Sequence, residues 1–408
     1  MARHSFRASA VGAALALAGS IALITGCTPP EAPPQAVQPP PPVAMAAPPP
    51  PPPEAAAVPA QPVSPVDGVT AGHVKVALLA PLSGPNKSVG QAMLDAADLA
   101  LFDVAADVAL LPRDTGSSAD GARAAAQKAL ADGAVLVLGP VFATSVAPVR
   151  EVTDSSPISV IAYTTDANAA GGSAFVMGFL PAFQVERVVG FAKSRGMTKI
   201  AALVPDNAYG VAVTAALNRM SAKLGIPAPR ILVVARDVKG QIASLADDPP
   251  QALLIALGGD QLQGLAPALG DLAAAHPLQL LGTGLWDDPA LAELPALAGG
   301  WYAAPAPENF ANFAGRFQQV YNYRPPRIAT LAYDSVALAA AVSKGAADLA
   351  APIGRDLLLQ PNGFNGIDGA FRFLPSGLSE RNLAVLQVGP GGATVIDPAP
   401  PNFEPLGQ

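Results

Sequence analysis

From His73 to about Trp301 the chain alternates short apolar runs with longer stretches rich in alanine. The apolar runs begin near Val74, Val108, Ala134, Ile158, Ala174, Lys199, Arg230, Ala252 and Leu278. Most are apolar at every position instead of every second one, as expected for strands covered on both faces. The stretches between them have helix length and helix boundaries. Ser88 and Gln91 read as a capping box, "SADGARAAAQKALADG" runs from a Ser118 cap to Gly133, and "FAKSRG" and "SAKLG" each place a base and then a glycine at a helix end. Strand followed by helix, repeated this often, predicts parallel βαβ units.

One phrase occurs twice. "KVALLAP" starts at Lys75 and "KIAALVP" at Lys199, each followed by a glycine and small residues, Gly90-Gln91-Ala92 and Gly210-Val211-Ala212. Each phrase reads as the first strand of its own sheet, with the proline marking its exit. Two sheets give an α/β fold of two doubly wound parallel-sheet lobes joined by crossover strands, with a cleft beyond the strands' carboxyl ends. After Trp301, "ENFANFAGRFQQVYN" and "IATLAYDSVALAAAVSKG" are helical by spacing. The stretch "GIDGAFRFLPSGLSERNLAVLQVGPGGATVID" predicts three short strands joined at "LPSGLS" and "GPGG".

The front of the chain has a different pattern. Arg3 and Arg7 precede an apolar run from Ala10 to Thr25, too short for a spanning helix, which reads as a secretory signal over residues 1–26. It ends in "ITGC", which resembles the lipobox of bacterial lipoproteins. That resemblance implies lipid attachment at Cys27, anchoring to the membrane without a spanning helix, and, with Thr28 next, sorting to the periplasmic face of the outer membrane. Cys27 is the only cysteine of the 408 residues, so no disulfide framework or cysteine zinc site exists. From Thr28 to Val66, 17 of 39 residues are proline, a polyproline spacer able to reach on the order of 100 Å. Residues 27–66 therefore form the anchor and linker, and residues 67–408 the bilobal part.

Charge narrows the partners. The formal net charge is −7, and no basic stripe is present to meet phosphates, which argues against nucleic acid. Catalytic patterns are missing too. The three histidines, His4, His73 and His276, lie in the signal, before the first strand and before a proline, and there is no SxxK, GxSxG or Walker loop. The chain reads as a non-enzyme that needs no metal and no cofactor.

"KVALLAPLSGP", "LGPVFATSVAPV", "VPDNAYG", "ATLAYDSVALAA" and "GFNGIDGAFRF", in that order, resemble type I periplasmic solute-binding proteins of the branched-chain amino-acid class. Within that class, "LGPVFATSV", "MGFLPAFQVERVV" and "NGIDGAFRF" most resemble the penicillin-binding protein activator lipoproteins. The resemblance implies lobe one at residues 74–181 and 305–344, and lobe two at 182–304 and 345–398. It also implies a ligand carboxylate held by Ser83 and Gly84 and by Phe142, Ala143, Thr144 and Ser145. Helix N-termini favour anions on general grounds, although Thr144 and Ser145 also read as a plain N-cap. Tyr163, Thr164 and Thr165 would face the cleft or form a turn. Tyr209 would pack on the ligand or in the core, and Trp286 and Asp287 follow another lobe-two strand. Asp334 reads as structural.

One departure separates this chain from amino-acid binders, which place a carboxylate shortly after the glycine pair that ends a lobe-two strand. In "ALGGDQLQG" that position falls at Leu262 or Gln263, and the acid, Asp260, comes earlier. An ammonium left unpaired in a closed cleft costs several kcal/mol. The partners implied are a peptidoglycan synthase (penicillin-binding protein) or, alternatively, a small molecule such as an amino acid delivered to an ABC importer.

Overall fold

The two lysine-led phrases open two separate sheets. A computed structural model describes residues 73–104, 107–234, 237–344 and 346–403. The signal, Cys27 and the proline-rich linker lie outside the described residues. Strands β1 (Val74–Ala80), β2 (Val108–Asp114), β3 (Leu136–Leu138), β4 (Ser159–Ala162) and β5 (Ala174–Val176) pair in parallel in the order β2-β1-β3-β4-β5. Helices α1 (Lys87–Val104), α2 (Ala119–Ala131) and α3 (Ala143–Thr153) connect them. Because side chains alternate along a strand, β1 serves two cores. Leu78 packs toward Met93 of α1, while Ala77 and Leu79 pack toward Ala122 of α2 and Val146 of α3.

The second sheet starts beyond α4 (Pro181–Ser194). It contains β6 (Ile200–Val204), β7 (Arg230–Val233), β8 (Ala252–Ile255), β9 (Gln279–Gly282) and β10 (Trp301–Ala304), all parallel, connected through α5 (Ala208–Leu224), α6 (Val238–Ala243), α7 (Gly259–Ala275) and α8 (Pro289–Ala292). Leu203 and Leu253 meet α7 through Leu262 and Leu265, and Ala202 and Leu254 meet α4 and α5 through Val188 and Leu217.

The repeated glycine now has a cause. A Cβ on Gly90 would lie 2.1 Å from the Pro81 carbonyl oxygen, and one on Gly210 would lie 1.9 Å from that of Pro205. In both lobes the helix that follows the first strand turns so tightly against that strand's exit that only glycine fits. Ser118 caps α2 by accepting the Gly121 N–H at 3.1 Å, as its position predicts. Ser88 does not cap α1, which begins one residue earlier at Lys87.

The carboxy-terminal part differs from expectation in two respects. Helices α9 (Pro307–Tyr321), α10 (Ala329–Ser343) and the short α11 (Arg355–Leu358) lead to a small antiparallel sheet of β11 (Phe364–Gly366), β12 (Gly369–Phe373) and β13 (Ser379–Arg381). Strands β14 (Ala384–Gly389) and β15 (Gly392–Asp397) then extend the second sheet to the order β15-β14-β10-β9-β8-β6-β7. The stretch read as three strands thus holds two hairpins in two different sheets. Ile353, Leu358, Phe371 and Phe373 also pack with Phe175 and Leu331 in the first lobe's core. Residues 346 to about 381, expected in lobe two, therefore belong to lobe one, because their large apolar side chains fill that core. The chain crosses between the lobes near residues 178–181, 304–307 and 381–384.

Candidate binding cleft

All strands of the first sheet run the same way, so the loops after β1, β2, β3 and β4 leave from one edge. There the Asp114 carboxylate gathers the N–H groups of Leu82 at 2.9 Å, Ser83 at 3.1 Å and Gly116 at 2.8 Å. Ser117 Oγ donates to the Ser83 carbonyl at 3.2 Å. Gly84 and Gly116, at φ +78° and +54°, supply the left-handed bends this knot requires. Burial opposes the charge on Asp114, but the Ser83 side chain and the three backbone N–H groups outweigh it and hold the carboxyl below its ordinary range. The backbone donor of Ser83, expected to face a ligand, is thus engaged by the protein's own carboxylate. Asp114 escaped the sequence reading because the loop it gathers, at Leu82 and Ser83, lies about thirty positions away.

Beside this loop, α3 opens at Phe142 with extended backbone and no side-chain cap. Thr144 is exposed and Ser145 buried, and both lie inside the helix, so neither is the N-cap that was the other reading of these residues. The first-turn N–H groups of α3 are left without a side-chain acceptor, whereas Ser118 caps α2 and Asn207 caps α5. Tyr163 is 2% exposed and packs in the lobe's core, so it does not line a cleft. Thr164 is buried too, with its hydroxyl accepting the Asp166 N–H at 3.1 Å in a turn, and only Thr165 of this trio is exposed.

On lobe two, the loops after β6, β8 and β9 also share an edge. Tyr209, in the first turn of α5, donates to Thr283 Oγ1 at 2.9 Å. Burial pushes its phenol up to about 12. Asp260 lies exposed in the first turn of α7, Leu262 is fully buried in the core, and Gln263 is exposed and neutral. Trp286, expected at the cleft, is 2% exposed and covers Gly282 and Gly300, where a Cβ would sit 2.2 Å and 2.8 Å from its ring. It is core, held by the absence of side chains on those two glycines.

Asp287 has a different task. Its carboxylate pairs with Arg327, whose Nε and Nη2 also donate to Asp368 Oδ1 at 3.0 and 2.7 Å. Tyr302 Oη donates to Asp287 at 3.4 Å. Arg327 precedes α10 and Asp368 lies between β11 and β12, both in lobe one, while Asp287 and Tyr302 belong to lobe two. This ion pair therefore spans the lobes. Burial raises the Asp287 carboxyl, and the Arg327 charge works against that rise. Behind it, the Arg381 guanidinium sits between the rings of Phe179 and Phe371, 5.6 and 5.0 Å from their centres, and 3.7 Å from Asp334. Asp334 accepts the Ile367 N–H at 2.7 Å, and burial pushes its carboxyl up to about 7 against the pull of Arg381. Among the described residues no group of three or more His, Cys, Asp or Glu is placed to hold a metal.

Comparison with known proteins agrees with this architecture. The protein of Rhodospirillum rubrum described as a proposed branched-chain amino acid ABC transporter superposes with a TM-score of 0.70 at 22% identity, over 79% of this chain and 100% of that one. The leucine binding protein LivK of Thermotoga maritima gives 0.56 at 17%, over 79% and 97%. LpoA of Haemophilus influenzae gives 0.64 at 16%, over 79% and 58%. No curated protein sequence matches closely enough to count as a relative. The family model described as "Periplasmic binding protein" matches residues 73–393, and the chain belongs to that family.

Proposed function

We propose that this chain is a non-enzymatic periplasmic lipoprotein, anchored through Cys27, that docks on a peptidoglycan synthase and supports its activity. The observation that carries this reading is the lobe-two rim. The position at which an amino-acid binder needs a carboxylate holds buried Leu262 and neutral Gln263, Asp260 points to solvent, and Asp287 is engaged by Arg327. At that position a zwitterion meets no acid for its ammonium group, and desolvating the charge without one costs several kcal/mol. The likeness to LpoA and the proline-rich reach of residues 28–66 support the same reading. Its test is binding of the full lipoprotein to a purified bifunctional synthase, with stimulation of glycan polymerisation on vesicles. The reading predicts binding in vitro and loss of function in cells when residues 28–66 are shortened with the lobes intact. Absence of binding, or indifference to the shortening, contradicts it.

A second reading is a receptor for an ABC importer. The uncapped start of α3, with Thr144 exposed beside it, favours this for a small carboxylate that lacks an ammonium group. A saturable thermal shift with such an acid distinguishes it from docking.

A further inference from the structure

Arg381 is a buried cation whose bonding is incomplete. Its side chain, at the end of β13 where the chain makes its third crossing, is 5% exposed. Nη1 donates to the Gly369 carbonyl at 3.3 Å and stands 3.7 Å from the Asp334 carboxylate. Nε and Nη2 are buried without a partner among the described residues. These two nitrogens share the edge of the guanidinium that grips an acceptor with parallel N–H groups, and leaving a buried charged donor unpaired is costly. Arg327, in the same region between the lobes, shows that edge in use. Its Nε and Nη2 both donate to a single atom, Asp368 Oδ1, at 3.0 and 2.7 Å, while its Nη1 takes Asp287.

Arg381 also borders a small hollow, together with Gly178, Phe179, Gln184, Ser379 and Leu383, so the hollow lies between the first and third crossings. Its free volume is about 10 Å³, room for one water or one monatomic ion and too little for a carboxylate or phosphate group. No acidic side chain lines it, and Gln184 is engaged at both ends, donating to the Phe179 carbonyl at 3.0 Å and accepting the Gly284 N–H at 2.8 Å. A water would fill the space but leave the guanidinium charge unanswered. Asp334 answers only part of it, because burial pushes its carboxyl up to about 7. We propose that this hollow is a binding site for one monatomic anion of the chloride class, gripped by Nε and Nη2 of Arg381 as Asp368 Oδ1 is gripped by Arg327. The ion ties the first crossing to the third and so stabilises the hinge between the lobes. The site stands apart from the docking reading and holds whether or not a synthase binds.

The experiment follows the melting temperature of the full chain as sodium chloride or sodium bromide replaces sodium gluconate at constant ionic strength, which separates specific binding from screening. It compares the wild type with Arg381→Lys, which keeps the charge and loses the two-donor edge. The expected result is a saturable rise with either halide in the wild type and at least a ~10-fold weaker halide affinity in Arg381→Lys. Crystals of the wild type grown in bromide locate the ion by anomalous scattering, and this measurement decides the matter if the lysine variant does not fold. A bromide peak within hydrogen-bonding reach of Nε and Nη2 is expected, and a water there without halide overturns the proposal. Equal melting in gluconate and halide overturns it as well, since any bromide seen would then reflect binding at crystal concentration only. An undiminished halide response in Arg381→Lys places the ion elsewhere and likewise overturns it.

Discussion

Asp334 shows how little a residue's type reveals about its state. It is fully enclosed, bonded to the Ile367 N–H, with Arg381 at 3.7 Å and Gly366 so close that a Cβ there would lie 2.3 Å from its carboxylate. Burial pushes its carboxyl up to about 7, well above the ~4 of an unfolded chain. A raised carboxyl in the folded state contributes stability that is fully present below about pH 4 and is lost as pH climbs through about 7. Denaturant melts between pH 4.5 and 7.5 should therefore show the wild type losing stability relative to an Asp334→Asn variant as pH rises, by on the order of 1 kcal/mol per pH unit. A gap that stays constant contradicts the assignment. At this scale the candidate site was only partly legible. The residue types at Ser83, Thr144 and Thr165 are right for an anion, yet Tyr163 and Trp286, equally suggestive in sequence, prove to be core. What buries them is a neighbour's missing side chain or the far face of a sheet, and neither leaves a local mark.

At the level of elements the sequence was more informative, because strand periodicity and helix boundaries are local properties. The nine predicted strand starts each fall within two residues of an observed strand, and Ser118 and Gly225 end their helices as expected. The paired glycines offer a sharp test. Gly210→Ala places a methyl against the Pro205 carbonyl and should destabilise the protein by about 1–3 kcal/mol. Gly264→Ala, in the middle of α7 with nothing within 4 Å of the new methyl, should stabilise it by about 0.5–1 kcal/mol. Chemical denaturation of both variants checks this, and a neutral Gly210→Ala would remove the explanation of the repeated phrase. The carboxy-terminal hairpins were harder to read. Nothing in "GAFRF" or "AVLQVG" says which sheet will receive them, and long-range burial of Phe371 and Phe373 decides the matter.

For the whole molecule, the bilobal plan followed from counting sheet starts, but the bond between the lobes did not. Arg327 reaches Asp287 and Asp368 forty residues away in opposite directions, a pairing without sequence spacing to announce it. Asp287→Asn keeps the Arg327–Asp368 pair and loosens only the arm that crosses the lobes. Small-angle scattering should then show a larger radius of gyration with a stability loss of about 1 kcal/mol, since a partly exposed pair contributes little more. An unchanged radius would mean the crossover strands alone hold the lobes. Arg327→Met, by contrast, strands Asp368, which is fully buried, and should cost about 3–5 kcal/mol.

The claim on which the functional account turns is that Leu262 and Gln263 supply no counter-charge for an amino acid's ammonium group, and calorimetry tests its consequence directly. Differential scanning calorimetry of the folded lobes with leucine, isoleucine and valine at millimolar concentration should leave the melting temperature where it stands without them. A saturable rise, equivalent to about 2.7 kcal/mol at a hundredfold excess over Kd, would show an amino-acid receptor and contradict the account.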